Sequence, residues 1–227
     1  MNQLYEHPQH YVAVDCVILG YGDGELKLLL YPRAFTPKKG EWSLMGGFLQ
    51  EGEELSDAAK RVLFIRAGLD DIYLEEVGCF SAIDRDPASR VISVAYYALV
   101  NIENQDVNKL AEHGSQWWSI NDLPDMIFDH REMVAQAMDK LQTRANELLL
   151  GKELLPELFT LLQLRNVYQA IFRRPLELAN FRKKILSLDI LEKQDIKNKT
   201  ESRKGAFYYT FKPEANNRVL DRIVKLT

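Results

Sequence analysis

Residues 46–69, GGFLQEGEELSDAAKRVLFIRAGL, constrain the fold more than any other stretch of the chain. Two adjacent glycines close an apolar run that begins at Trp42, and an acidic loop follows with Glu51, Glu53 and Glu54. Leu55–Ala67 then reads as a helix, with Ala59, Val62, Leu63 and Ile65 as a broad apolar stripe. Ser56 stands where it can cap the start, and Gly68 stands where a helix end takes a left-handed residue. Positions 62, 65 and 66 share one helix face, since an i, i+3, i+4 spacing brings side chains together. That face carries Val62, Ile65 and Arg66 and so presents no carboxylate, while Glu51, Glu53 and Glu54 lie in the preceding loop.

The flanking sequence supplies a sheet for this unit. Tyr11–Leu19 is apolar on both faces except at Asp15, the pattern of a central strand. YGDG at 21–24 is a turn that folds the strand back onto ELKLLLYPR. Tyr73–Ala82, residues 91–100 and WWSIND at 117–122 read as further strands. Asp129–Leu150 reads as a long amphipathic helix. Asp129 and Glu132 form a capping-box pattern, Val134, Met138, Leu141, Ala145 and Leu148 line one face, and Gly151 ends it. Cys16 and Cys79 lie in apolar strand-like runs and read as buried thiols, not as a disulfide or a zinc pair. No apolar run approaches the roughly 20 residues of a membrane span. The N-terminus, MNQLYEHPQH, lacks the basic end and apolar core of a signal peptide. A cytoplasmic protein without a membrane partner is expected.

Charge divides the chain at the same place. The net charge is −4 over 227 residues, but residues 1–150 sum to −11 and residues 151–227 to +7. Two modules are expected, 1–150 and 151–227, with a polyanion as partner of the basic one. In the second module Leu154–Phe159 reads as a short helix. Thr160 and Gln163 form a capping box that opens TLLQLRNVYQAIF, whose stripe is Leu161, Leu164, Val167, Tyr168 and Ile171. RRPLE is a turn, and ELANFRKKILSL is a third helix with Leu178, Phe181, Ile185 and Leu188 facing inward. DILEKQ and AFYYTFKP are two strands around the basic loop IKNKTESRKG. Three short helices and a hairpin are the layout of a winged helix. A recognition helix needs an apolar face for the core and a polar, cationic face for the major groove. Asn180, Arg182, Lys183 and Lys184 form such a face, Arg173 and Arg174 precede it, and Lys197, Lys199, Arg203 and Lys204 would be the wing. These ten are the candidate DNA contacts. Phe207, Tyr208, Tyr209 and Phe211 stand at strand spacing and read as core, not as base-stacking groups.

Residues 46–69 resemble the Nudix box, and that resemblance implies a pocket beside the glycine-rich loop, walled by the first strands and the loop before the box. Asp15, Arg33, Trp42 and Met45 are candidates, with Asp84, Arg85 and Asp86 from the loop after residues 73–82. Asp15 is the strongest of them, because a carboxylate inside a central strand must find a partner or a ligand. Trp42 has core packing as its competing reading, and Arg85 with Asp86 has a turn cap.

The Nudix box is the signature of enzymes that hydrolyse nucleoside diphosphates linked to another group. Gly47, Glu53, Arg61, Leu63, Gly68 and Leu69 match it. The positions at which it asks for metal-binding glutamates are 62, 65 and 66. The resemblance therefore implies the fold, a Glu53–Arg61 salt bridge, and neither a catalytic site nor a metal or cofactor. Over both modules the chain is similar to the Nudix-related transcriptional regulator family. The stretches that carry this are 46–69, AIDRDPASRVISVAYYALV, FDHREMVAQAMDKL and FTLLQLRNVYQAIFRRPLELANFRKKIL. That resemblance implies an α+β protein, a Nudix-like α/β/α sandwich followed by a winged helix-turn-helix. It would act as a homodimeric repressor that binds operator DNA and a small effector. Loss of all three helix glutamates points to the arabinose-responsive (AraR-like) branch, with L-arabinose as effector and sugar catabolism as target. The alternatives are an ADP-ribose-sensing regulator of NAD metabolism, an active Nudix hydrolase, and an adaptor whose basic half meets an acidic protein.

Overall fold

The apolar run at the start of the first module forms β1 (Tyr11–Gly22), the middle of a seven-stranded sheet in the computed structural model. The structure describes residues 7–70, 72–105, 114–147, 151–200 and 204–213. β1 turns through Asp23 and Gly24, both at positive φ as a two-residue hairpin turn requires, into antiparallel β2 (Glu25–Pro32). β3 (Trp42–Ser43) lies beyond β2, and β4 (Met45–Phe48) pairs antiparallel with β1. Helix α1 (Leu55–Ala67) follows, then β5 (Tyr73–Phe80) and β6 (Val91–Asn101). β6 runs parallel to β1 and antiparallel to β5, and β7 (Gln116–Ser119) pairs with β2.

Alternation along β1 sorts its side chains between two layers. Val14, Cys16 and Ile18 pack with Ala58, Ala59, Val62 and Leu63 of α1. Val17 and Leu19 pack on the other face with Met133, Val134, Met138, Leu141 and Ala145 of α2 (His130–Glu147). The result is the expected α/β/α sandwich. α1 has no side-chain cap: Glu54 is its N-cap residue, and Ser56 lies exposed within the first turn. A cap contributes about 1 kcal/mol, less than burying Leu63 alone, roughly 1.5–3 kcal/mol, so packing fixes the start. Gly68 ends the helix at φ 65° as expected. Ile65 does not belong to the stripe, since it is exposed together with Phe64.

Three further expectations are corrected. Cys79 is exposed because β5 is an edge strand with one open face, whereas Cys16 is buried. Asp129 gives both carboxylate oxygens to Arg85, at 2.8 and 2.7 Å, in place of the capping box. Gly151 opens a four-residue helix, α3 (Gly151–Leu154), instead of closing the long one, while Leu148 lies outside the described residues.

The helix expected over 154–159 does not form: Leu154 ends α3 and residues 155–158 are irregular. Phe159 and Thr160 form β8 (Phe159–Thr160), which pairs with Tyr208 and Tyr209. The capping box then forms as read, with Thr160 and Gln163 exchanging hydrogen bonds at 3.2 and 2.8 Å. It opens α4 (Leu161–Phe172), and its whole predicted stripe is buried. α5 (Leu178–Ser187) buries Phe181 and Ile185, and Leu178 is exposed. β9 (Leu191–Asn198) and β10 (Ala206–Phe211) form the hairpin, in a three-stranded sheet of order β8-β10-β9. Of the four aromatics on β10, Tyr209 is buried and the other three are half-buried.

One apolar core runs through both modules, from Leu26 and Leu28 on β2 past Leu141 on α2 to Leu164, Val167 and Ile171 on α4. Gln142 of α2 donates to the Ile171 carbonyl at 2.9 Å. Arg144 donates to Glu75 at 2.8 Å and ties the same helix to β5. Among the described residues no helix is long and apolar enough to cross a membrane.

Candidate functional site

A cavity of about 240 Å³ opens where β1, β4 and the end of β2 meet the start of α2. Asp15 lies on its floor. β1 brings the carboxylate against β4, and the glycine opposite leaves room for it: a Cβ on Gly46 would collide with Asp15 Oδ1. Gly47 is required by the helix, since a Cβ there would meet Val62 Cγ2 at 2.9 Å. Asp15 accepts a hydrogen bond from Ser93 Oγ at 2.6 Å and has Arg85 Nη2 and His130 Nε2 each at 3.7 Å. Arg85, 7% exposed, is forked onto Asp129. His130 Nδ1 accepts the Leu44 N–H at 3.0 Å, which leaves Nε2 to carry the proton toward Asp15. Burial pushes the His130 imidazole below its ordinary value, against the opposing pull of Asp15 and Asp129. The floor is thus a network of two carboxylates, a guanidinium and a neutral imidazole.

The rim is cationic and aromatic. Arg33 lies 4.2 Å above the Phe35 ring and 5.1 Å from that of Phe128, and its Nε donates to the Phe35 carbonyl at 3.2 Å. Arg66 lies 5.9 Å from the Tyr31 ring. Asp86 reaches the wall while its Oδ1 accepts from the Ala88 N–H at 2.8 Å. So Asp15, Arg33, Arg85 and Asp86 come together as expected. Trp42 packs edge-on against Trp118, Met45 is fully buried among the α1-side residues, and Asp84 is exposed in a turn; none of the three lines the cavity. Tyr31, Phe35, Arg66, Phe128 and His130 line it and were not expected from the sequence. Arg66 alone among them carries a local signal, a cation at a helix position where the Nudix box asks for a carboxylate.

The glutamates of the acidic loop do not assemble a metal site. Glu53 accepts from Arg61 Nε at 2.9 Å and Nη2 at 2.6 Å, and from the Gln50 N–H at 2.7 Å. These interactions, led by the Arg61 hydrogen bond, hold its carboxyl below the usual range. Val62 is buried, Ile65 faces solvent and Arg66 is a cation. Among the described residues no three His, Cys, Asp or Glu side chains converge. The divalent ion of a Nudix hydrolase does not fit these residues.

The second module presents a basic face. Glu177 caps α5 by accepting from the Ala179 and Asn180 N–H groups at 2.8 and 2.7 Å. Asn180, Arg182 and Lys183 are exposed on α5, and Lys184 is half-buried. Arg182 borders a hollow of about 760 Å³ shared with Phe207 and Gly205 of the hairpin. On that hairpin Lys193 and Lys197 lie 3.6 and 4.5 Å from the Phe207 ring, while Lys199 and Lys204 are exposed near its tip. Arg203 lies outside the described residues. Arg173 and Arg174 are not part of this face: they line a cleft against the first module, where Arg173 donates to Asn121 at 2.8 Å.

Residues 9–137 match the NUDIX domain family, and residues 151–211 match the NrtR DNA-binding winged helix domain. The chain is 32% identical over 214 residues to an ADPR responsive transcriptional repressor of Acinetobacter baylyi, covering 92% of this chain and 85% of that one. It is similar to Shewanella oneidensis NrtR in complex with a 27mer DNA, with a TM-score of 0.84 and 28% identity over 93% of this chain and 98% of that one. The NUDIX domain of that regulator, solved with ADP ribose, aligns with a TM-score of 0.53 and 29% identity over 60% of this chain and 90% of its own.

Proposed function

The chain belongs to the family that joins a NUDIX domain to an NrtR-type DNA-binding winged helix, and we propose that it is an ADP-ribose-responsive transcriptional repressor. The observation that carries the effector is the chemistry of the cavity wall. Three guanidiniums, from Arg33, Arg66 and Arg85, stand beside the aromatic rings of Tyr31, Phe35 and Phe128. A pentose offers only hydroxyls to such a wall, whereas a nucleoside diphosphate offers anionic oxygens to the guanidiniums and a base to the rings. The volume lies below the roughly 300–1,000 Å³ typical of ligand pockets, so the cavity seats one end of a long ligand. L-arabinose, expected from the resemblance, has no support from the relatives or from this chemistry.

The network on the floor offers a route to the DNA-binding face. Arg85 touches both the cavity and Asp129 at the start of α2, and α2 holds the Ile171 carbonyl of α4 through Gln142. A ligand that draws Arg85 toward its phosphates would shift α2 and, with it, the winged helix. In a homodimer on a palindromic operator this would change the separation of the two α5 helices. We place Asn180, Arg182 and Lys183 in the groove and Lys193, Lys197, Lys199 and Lys204 at phosphates. Among the described residues no cluster of carboxylates converges on the cavity for metal-dependent hydrolysis, and we assign it a sensing role.

Thermal denaturation with each candidate effector tests this reading. A ligand at 100 times its Kd adds about 2.7 kcal/mol to the folded state, which raises Tm by about 5–11 °C for a chain of this size. ADP-ribose should give such a shift and L-arabinose none. The opposite pattern would move the chain to the arabinose branch.

A further inference from the structure

An anionic ligand in this cavity must be held where no metal fits. The last turn of α1 carries the helix's partial negative charge, which by itself repels an anion. Arg66 stands in that turn, lines the cavity and reverses the sign of its wall. Arg33 contributes a second guanidinium, held in place by its own contacts with Phe35 and Phe128. Among the described residues neither Arg33 nor Arg66 has a carboxylate within ion-pair distance. Asp15, the carboxylate of the floor, is already engaged by Ser93 and Arg85. Two guanidiniums with unused donors, in a half-enclosed space, match the forked geometry of phosphate oxygens.

We propose that Arg66 and Arg33 hold the diphosphate of ADP-ribose directly, so that this chain binds its effector without a divalent cation. The proposal rests on the reading that ADP-ribose is the ligand. It also accounts for the helix face at 62, 65 and 66: a cation now occupies the place from which a carboxylate would have recruited a metal, and it repels any that approached.

Isothermal titration of the full chain with ADP-ribose, in EDTA and in excess magnesium, tests this together with Arg66→Ala, Arg66→Lys and Arg33→Ala. Adenosine, which lacks the phosphates, is the control ligand. The parent chain should give the same Kd in both buffers within about twofold. Without the charge-assisted hydrogen bonds to phosphate, Arg66→Ala should bind ADP-ribose about tenfold to a hundredfold more weakly. Arg66→Lys should be impaired less, because it keeps the charge but not the fork. Adenosine binding should be the same in Arg66→Ala as in the parent, which separates a missing phosphate grip from misfolding. Binding of ADP-ribose that appears only with magnesium, or an Arg66→Ala variant that binds it like the parent, would overturn the proposal while leaving the effector in place. Absence of ADP-ribose binding in both buffers would overturn the effector reading and the proposal with it.

Discussion

Replacing Arg85 with methionine tests whether the floor of the cavity is held by charge. The guanidinium is 3% exposed at its side chain and is shared by Asp129, 16% exposed and 2.7 Å away, and Asp15, 11% exposed and 3.7 Å away. The substitution keeps the aliphatic bulk but leaves two largely buried carboxylates without their cation. Breaking a buried pair in this way costs about 3–5 kcal/mol, a large part of the roughly 5–15 kcal/mol that holds a domain folded. At about 2–4 °C per kcal/mol for a chain of this size, Tm should fall by about 6–20 °C. The double variant Arg85→Met/Asp129→Leu also removes the carboxylate left behind. It should recover at least half of the loss, since an apolar pair can replace a buried ion pair at little cost. Asp15 would retain its Ser93 hydrogen bond. Urea unfolding of the parent, both single variants and the double variant closes the cycle. A loss below about 1 kcal/mol in Arg85→Met, or strictly additive losses in the double variant, would refute the description of the floor as one coupled network.

Burial holds the folded-state pKa of His130 below its ordinary value of 6.5. Its contribution to stability is therefore present above about pH 6.5 and is lost as pH falls through the folded value. His130→Gln should flatten the decline in unfolding free energy between about pH 7 and pH 5, and identical slopes would show that the imidazole is not the group titrating. Gly46→Ala should displace the Asp15 carboxylate and lower stability by about 1–3 kcal/mol, as overpacking does; a crystal structure with Asp15 unmoved would count against the close approach. Arg182→Ala and Lys183→Ala should each weaken binding to a promoter duplex by about 1–3 kcal/mol and narrow its margin over a random duplex, measured by fluorescence anisotropy. Unchanged affinity in both would move the DNA contact off α5.

Local sequence carried the elements whose causes are local. The Thr160–Gln163 box and the stripe of α4 are neighbours in sequence, and both form as read. Glu53 and Arg61, eight residues apart, form the expected pair. Asp15 showed itself as a charge in an apolar strand. The partners that satisfy it did not, because Ser93, 78 residues away, reaches it only when β6 pairs beside β1, and His130 only when α2 packs on the sheet. Phe159 and Thr160 escaped because a two-residue strand has no period to detect. Cys79 and Ile65 were misplaced for one reason: apolar composition marks an element but does not tell which of its faces remains open. Trp42 had two readings, and the T-shaped contact with Trp118 takes its ring into packing instead of the cavity.

The central claim joins the two modules, so its most direct test reads both at once. A labelled duplex from a promoter that the chain recognises is bound to the protein at physiological salt and titrated with ADP-ribose, with L-arabinose in parallel. The predicted result is binding to this duplex well above that to a random one, release by ADP-ribose, and no response to L-arabinose. A complex that L-arabinose releases and ADP-ribose leaves intact would contradict the claim.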